Sequence, residues 1–163
     1  LFPKKFTPKI LARYGLITGL YVALTWALPE FSYGVVQFRV SEILNLLAFY
    51  NPIYVIPITL GCGIANLFSP FGIIDVIVGS AHTFVSLYCM TKIKKDILAA
   101  LFPALFSFMI GLEVMFLSDA SLNFFLITGQ VMLSELVIVG LISVPFYRIL
   151  SRNHEVMRIL SEK

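Results

Sequence analysis

Apolar residues run along this chain in long, nearly unbroken blocks, each closed by residues that stop a helix. The blocks predict helices near residues 10 to 28, 34 to 50, 53 to 68, 73 to 91, 96 to 117 and 122 to 149. Pro29 closes the first, Asn51 and Pro52 part the second from the third, "SPFG" at Ser69 to Gly72 parts the third from the fourth, and "KIKK" follows the fourth. A membrane barrel needs alternating lipid-facing and lumen-facing residues, which continuous blocks do not provide. The first block has the outline of a secretory leader with small residues near Ala27. Its roughly 19 apolar residues are enough to cross a bilayer and further blocks follow, so it is expected to be a retained span.

Composition turns the pattern into a class. With 59% hydrophobic and only 13% charged residues among 163, the chain reads as an all-α integral membrane protein, a bundle of six transmembrane helices forming a single domain over residues 1–163. No linker-like tract divides it. The net charge of +3 is modest and does not point to nucleic acid. Cys62 and Cys89 sit in apolar runs without a second Cys or His at ligand spacing, so they read as small buried hydrophobes, and no metal or cofactor is expected.

Charge placement sets the direction of threading. Six spans put Lys4, Lys5, Lys9 and Arg13, then Lys92, Lys94 and Lys95, then Arg148, Arg152, Arg158 and Lys163 on one side of the membrane. That is eleven of the twelve basic residues, and the excess of Lys and Arg on cytoplasmic loops then places both termini in the cytoplasm. The twelfth is Arg39, inside the second block.

Arg39 belongs to "QFRVSEILN", which places Gln37, Arg39, Ser41, Glu42 and Asn45 within nine positions. On the insertion scale a central Arg or acidic residue costs about 2.5–3.5 kcal/mol and each large apolar residue returns only about 0.3–0.6. The segment needs neighbouring helices, shallow depth, or pairing of Arg39 with Glu42, which stand three apart with Asn45 three further on. One reading is an ion pair that fixes helix register; the other is a face lining a solute site open to the outside. Asn66, Asp75, His82, Glu113, Gln130 and Glu135 spread over other blocks favour the second, because intramembrane polar groups face the bundle interior or a cavity. Asp75 has the alternative of capping the fourth helix. His82 shares a face with Asp75, Gly79 and Ser86 and reads as a helix-packing hydrogen bonder. One Arg cannot neutralise Glu42, Asp75, Glu113 and Glu135 together, so some are protonated, hydrated, or matched by a cationic or donor-rich ligand.

On the first helix Gly15, Gly19, Ala23 and Ala27 recur every four residues as a stripe of small side chains, either for packing within the bundle or for docking a partner. The chain has no phosphate-binding G-x-x-x-x-G-K-[ST], G-x-S-x-G or H-E-x-x-H motif, so an enzyme is not expected.

The order of these features resembles the QueT family of substrate-binding S components of energy-coupling factor (ECF) transporters. The residues that carry it are "SYGVVQFRVSEILNLL" from Ser32, "GCGIANLFSPFGIIDVIVGS" from Gly61, "GLEV" from Gly111 and "SELV" from Ser134. The resemblance implies a six-helix bundle in the bacterial plasma membrane that captures a queuosine precursor, the aminomethyl deazaguanine base. A shared module of one transmembrane coupling protein and two ATPases would drive its release inward. It implies too that Gly15, Gly19 and Ala23 meet the coupling protein. A guanine-like edge offers an amine and a ring N–H side by side to one carboxylate, and the aminomethyl group adds a cation needing a second. Glu42, Glu113 and Glu135 are the expected acceptors, with Arg39 orienting Glu42, Gln37 and Asn66 completing the contacts, and Asp75 and Asn45 as further candidates. They are expected to converge on one hollow sized for a flat base. The rival reading is an ion-coupled secondary transporter of a small cationic or purine-like solute, with the carboxylates and His82 carrying ions.

Overall fold

Thr7 opens the first helix, accepting the Ile10 N–H at 3.3 Å, and Pro8 takes the first helical position, where its missing N–H costs nothing. This is α1 (Pro8–Ala27) of a computed structural model that describes residues 2–3, 6–32, 38–118 and 123–161. After a short helical turn at Pro29–Ser32 come α2 (Val40–Tyr50), α3 (Pro52–Asn66), α4 (Ile73–Met90), α5 (Asp96–Leu117) and α6 (Phe124–Leu150), then a tail helix α7 (His154–Ser161). Among the described residues there is no strand.

Helices α1, α4, α5 and α6 are long and apolar enough to cross a membrane, whereas α2 and α3 are apolar but shorter. The second block begins its helix at Val40, later than the residue 34 expected, with part of that stretch outside the described residues. The breaks have local causes. Asn51 ends α2 with extended backbone and caps α3, its Oδ1 accepting the Ile53 N–H at 3.3 Å. Gly72, at φ 58° and ψ −131°, turns the chain into α4 through a conformation that a side chain would oppose.

Helix α3 is held between α1 and α4, α5 packs on α6, and α2 packs on the middle of α6. The α1–α3 contact is close because Gly61 has no side chain: a Cβ there would lie 2.8 Å from Tyr21 Cβ and 3.2 Å from Thr18 O. Thr18 adds a hydroxyl bond to Pro57 O at 2.9 Å. The main apolar cluster joins Ile17, Tyr21, Leu46, Ile58, Leu87, Met90, Ala99 and Val139 around the ends of α4 and α5 that flank "KIKK". A smaller cluster of Ile110, Val114, Ile127 and Val131, with Phe71 and Val78 packed on it, lies toward the opposite ends. A polar layer is formed where these two clusters leave off.

Two helices are irregular where they meet. Helix α2 begins as a 3₁₀ helix over Val40–Leu46, and α6 widens into a π helix over Leu136–Ser143, its Ser143 hydroxyl bonding Ile138 O five residues back at 2.8 Å. At the ends that face "KIKK", Arg148 of α6 holds Asp96 of α5 through two bonds of 2.6 and 2.8 Å. The tail is tied back by Asn51 Nδ2 donating to Leu160 O at 2.9 Å.

Candidate functional site in the polar layer

The tight winding of α2 decides how its polar residues face. In a 3₁₀ helix residues three apart eclipse, so Asn45 stands over Glu42 and its Nδ2 donates to Glu42 Oε2 at 3.1 Å. Arg39 lies before the helix with extended backbone, φ −92° and ψ 96°, and its side chain leaves in another direction. Its guanidinium reaches Asp75 Oδ1 at 3.6 Å, while Nε donates to Ser32 O at 3.4 Å. Of the ways of offsetting Arg39 that the sequence leaves open, the structure shows an ion pair with Asp75 on a neighbouring helix, because Arg39 is not on the helical face that the i, i+3 spacing assumed.

Asp75 sits in the first turn of α4, 1% exposed, with its Oδ1 facing the Arg39 guanidinium but without a hydrogen bond among the described residues. Asn66 buttresses it from α3, Nδ2 donating to Asp75 O at 2.9 Å, and packs against Gly79, where any side chain would collide with that amide. Cys62 lies at the centre. Its sulfur accepts from Thr83 Oγ1 at 3.3 Å, Asn66 Nδ2 at 3.7 Å and Arg39 at 3.9 Å. The sequence treats Cys62 as a plain hydrophobe; its one hint otherwise is Asn66 a helical turn later on the same face. Both cysteines are free thiols.

Arg39, Glu42, His82 and Glu135 line one cavity, walled on the apolar side by Ile110 and Val131. Helices α2, α4 and α6 each present a residue there, so the Glu42 and Glu135 side chains share the wall of one small cavity. His82 enters because α5 is broken at Pro103: the Ser107 N–H turns to Ala104 O at 3.3 Å, and the Pro103 carbonyl accepts from His82 Nε2 at 3.0 Å. A carbonyl cannot donate, so Nε2 carries the proton. The reading of His82 as a packing residue describes this bond but leaves out its place on the cavity wall. The cavity is narrow, about 10 Å³, room for about one water molecule. Among the described residues, the cavity that these four side chains line is too small for a flat base.

Glu113 is 5% exposed and near enough to Asp75 and Arg39 to feel both charges, yet it is not on that cavity's wall. Gln37 lies outside the described residues. One property unites the layer. Both oxygens of Glu113, Glu135 Oε2, Asp75 Oδ1, Asn45 Oδ1, Asn66 Oδ1 and Gln130 Oε1 are buried without a hydrogen-bond donor among the described residues. These oxygens only accept, save for a protonated carboxyl, and the hydroxyls of Ser86, Ser107 and Thr128 are buried without a partner as well.

The stripe on α1 faces away from this layer. Helix α1 turns Ile10, Tyr14, Ile17, Tyr21 and Thr25 inward, and leaves Gly15, Gly19 and Ala23 exposed. A Cβ on Gly15 or Gly19 would meet nothing within 4 Å, so the stripe is not used for packing among the described residues.

Apolar spanning helices around a buried acidic layer define a multi-pass membrane protein of the cell membrane. Residues 11–152 match the family described as the QueT transporter. The chain also resembles "Queuosine precursor transporter QueT" of Lactococcus lactis subsp. cremoris (strain MG1363), 37% identical over 137 residues, covering 74% of this chain and 79% of the relative. The chain belongs to the QueT transporter family, and is a transporter rather than an enzyme. No solved structure matches it.

Proposed function

We propose that this chain is the substrate-binding S component of an ECF importer, taking a queuosine precursor, the aminomethyl deazaguanine base, from outside the cell. It delivers the base inward with a separate module of one transmembrane coupling protein and two ATPases. The threading this requires is six passes with both termini in the cytoplasm, which the side shared by eleven of twelve basic residues supports.

The observation that carries the substrate reading is the surplus of buried acceptors in Glu113, Glu135, Asn45 and Asn66. An unpaired buried acceptor costs about 1–3 kcal/mol, so a layer of them favours a ligand rich in N–H donors. A deazaguanine offers its ring N–H groups, its exocyclic amine and, in the aminomethyl form, an ammonium. The relative's name agrees with that chemistry. The exposed Gly15, Gly19 and Ala23 stripe supports a helical partner in the membrane, since small residues let another helix approach closely.

The test is reconstitution of the purified chain in liposomes. The expected result is saturable binding of the aminomethyl base without sustained uptake until the coupling protein, ATPases and ATP are supplied. Uptake by the chain alone under a proton or sodium gradient would establish the ion-coupled transporter instead.

A further inference from the structure

Glu42 and Glu135, placed on the wall of one cavity, ask for a third party. Both carboxylates line a cavity with room for about one water molecule, and two anions brought that near need a donor between them, which they do not supply themselves. Asn45 already serves Glu42 Oε2, and Glu135 Oε2 has no partner among the described residues. The nearest permanent cation, Arg39, is on the same wall and also pairs with Asp75, so one cation faces three carboxylates. From Tyr14 to Thr91, and again from Asp96 to Tyr147, the sequence holds no other Lys or Arg that could serve. With one cation among three carboxylates, the missing donor is a proton on one carboxyl, or a cation that arrives with the ligand.

We infer that the Glu42–Glu135 pair is the subsite for the ligand's primary ammonium, and that the ammonium takes the place of a proton held between the two carboxyls. This rests on the transport reading above and names which part of the ligand the pair recognises. The exchange balances: a singly protonated pair and R–NH₃⁺ give two carboxylates around R–NH₃⁺ and one H⁺ released to solvent. The rest of the wall fits the division of labour. Ile110 and Val131 are apolar and suit a ring face, and Glu113, away from this cavity with both oxygens unpaired, is left for the guanine-like edge.

The titratable and charged groups facing the pair are Arg39 and His82 on the same wall, with Cys62 beside them and Asp75 and Glu113 beyond Arg39. His82 is the other group able to change its proton at this place, so it enters the test. Because binding releases a proton, affinity for the amine rises with pH, by up to about tenfold per unit, while the pair is protonated and the amine charged.

The experiment compares the aminomethyl deazaguanine base with its uncharged nitrile analogue, which shares the ring edge but has no ammonium. Calorimetry in buffers of different ionisation enthalpy gives the protons exchanged. The expected result is about one proton released with the amine and none with the nitrile. Glu135→Gln, and separately Glu42→Gln, lower amine affinity about 10- to 100-fold and nitrile affinity less than about threefold; the nitrile thereby reports that each variant is folded. His82→Gln still releases the proton. Equal proton counts for the two ligands, equal losses for both in the Glu variants, or loss of proton release in His82→Gln would overturn the inference while leaving the transport reading intact. Failure of the wild type to bind either base overturns both.

Discussion

Removing one side of the Arg39–Asp75 pair should cost far more than removing both. The two groups are 6% and 1% exposed and 3.6 Å apart. At an effective dielectric of ~20 their attraction is about 5 kcal/mol, most of which repays the desolvation of two buried ions. Asp75→Asn leaves a buried guanidinium facing a weak dipole, a change that costs about 3–5 kcal/mol in comparable sites. The lower end applies here, because Glu42 and Glu113 also lie in the field of Arg39 and compensate in part. The Asn66 bond survives the substitution, since it goes to the Asp75 backbone carbonyl, so the loss reports the charge alone. Arg39→Met strands Asp75 by the same logic, whereas the Arg39→Met, Asp75→Leu double variant strands neither. Urea unfolding in detergent, followed by tryptophan fluorescence through Trp26, should give a double variant less damaged than either single and a coupling energy of at least about 2 kcal/mol. Single losses under about 0.5 kcal/mol that simply add would refute the pairing.

Two further outcomes follow from the glycines. Gly61→Val must push α1 from α3 at the Tyr21 Cβ contact and should cost about 1–3 kcal/mol in the same unfolding assay, whereas Gly15→Ala meets open space and should be neutral or slightly stabilising. Gly15→Leu with Gly19→Leu should leave ligand affinity in detergent unchanged but abolish ATP-driven uptake with the partner module; full uptake by that variant would remove the stripe from the docking surface.

The helices were legible because lipid-crossing segments advertise themselves in composition and their breaks in Pro, Gly and Asn. Asp96–Leu117 was read to the residue, and Ile73–Met90 to within one. The interior of the site was less legible. Spacing offers Glu42 as one partner for Arg39, on the assumption of a regular α-helix; the late start of α2 and its 3₁₀ winding place Asn45 on Glu42 and Arg39 beside Asp75. Nothing in "LVIVGLIS" announces a π helix, because its residues would suit an ordinary span equally well. The acids could be named as intramembrane carboxylates, yet which of them share a wall depends on helix rotation. That rotation brings Glu135 to Glu42 and leaves Glu113 apart. Cys62 was invisible as a polar group since its partners Thr83 and Arg39 come from other segments.

Equilibrium binding of the aminomethyl deazaguanine base to the purified wild type and to the Glu113→Gln, Glu135→Gln double variant puts the central claim to its most direct test. With two charge-assisted acceptors removed, each worth about 1.5–3 kcal/mol, affinity should fall by at least about 100-fold in a protein that still unfolds cooperatively. Wild-type affinity in the folded double variant would show that these buried carboxylates do not recognise the ligand.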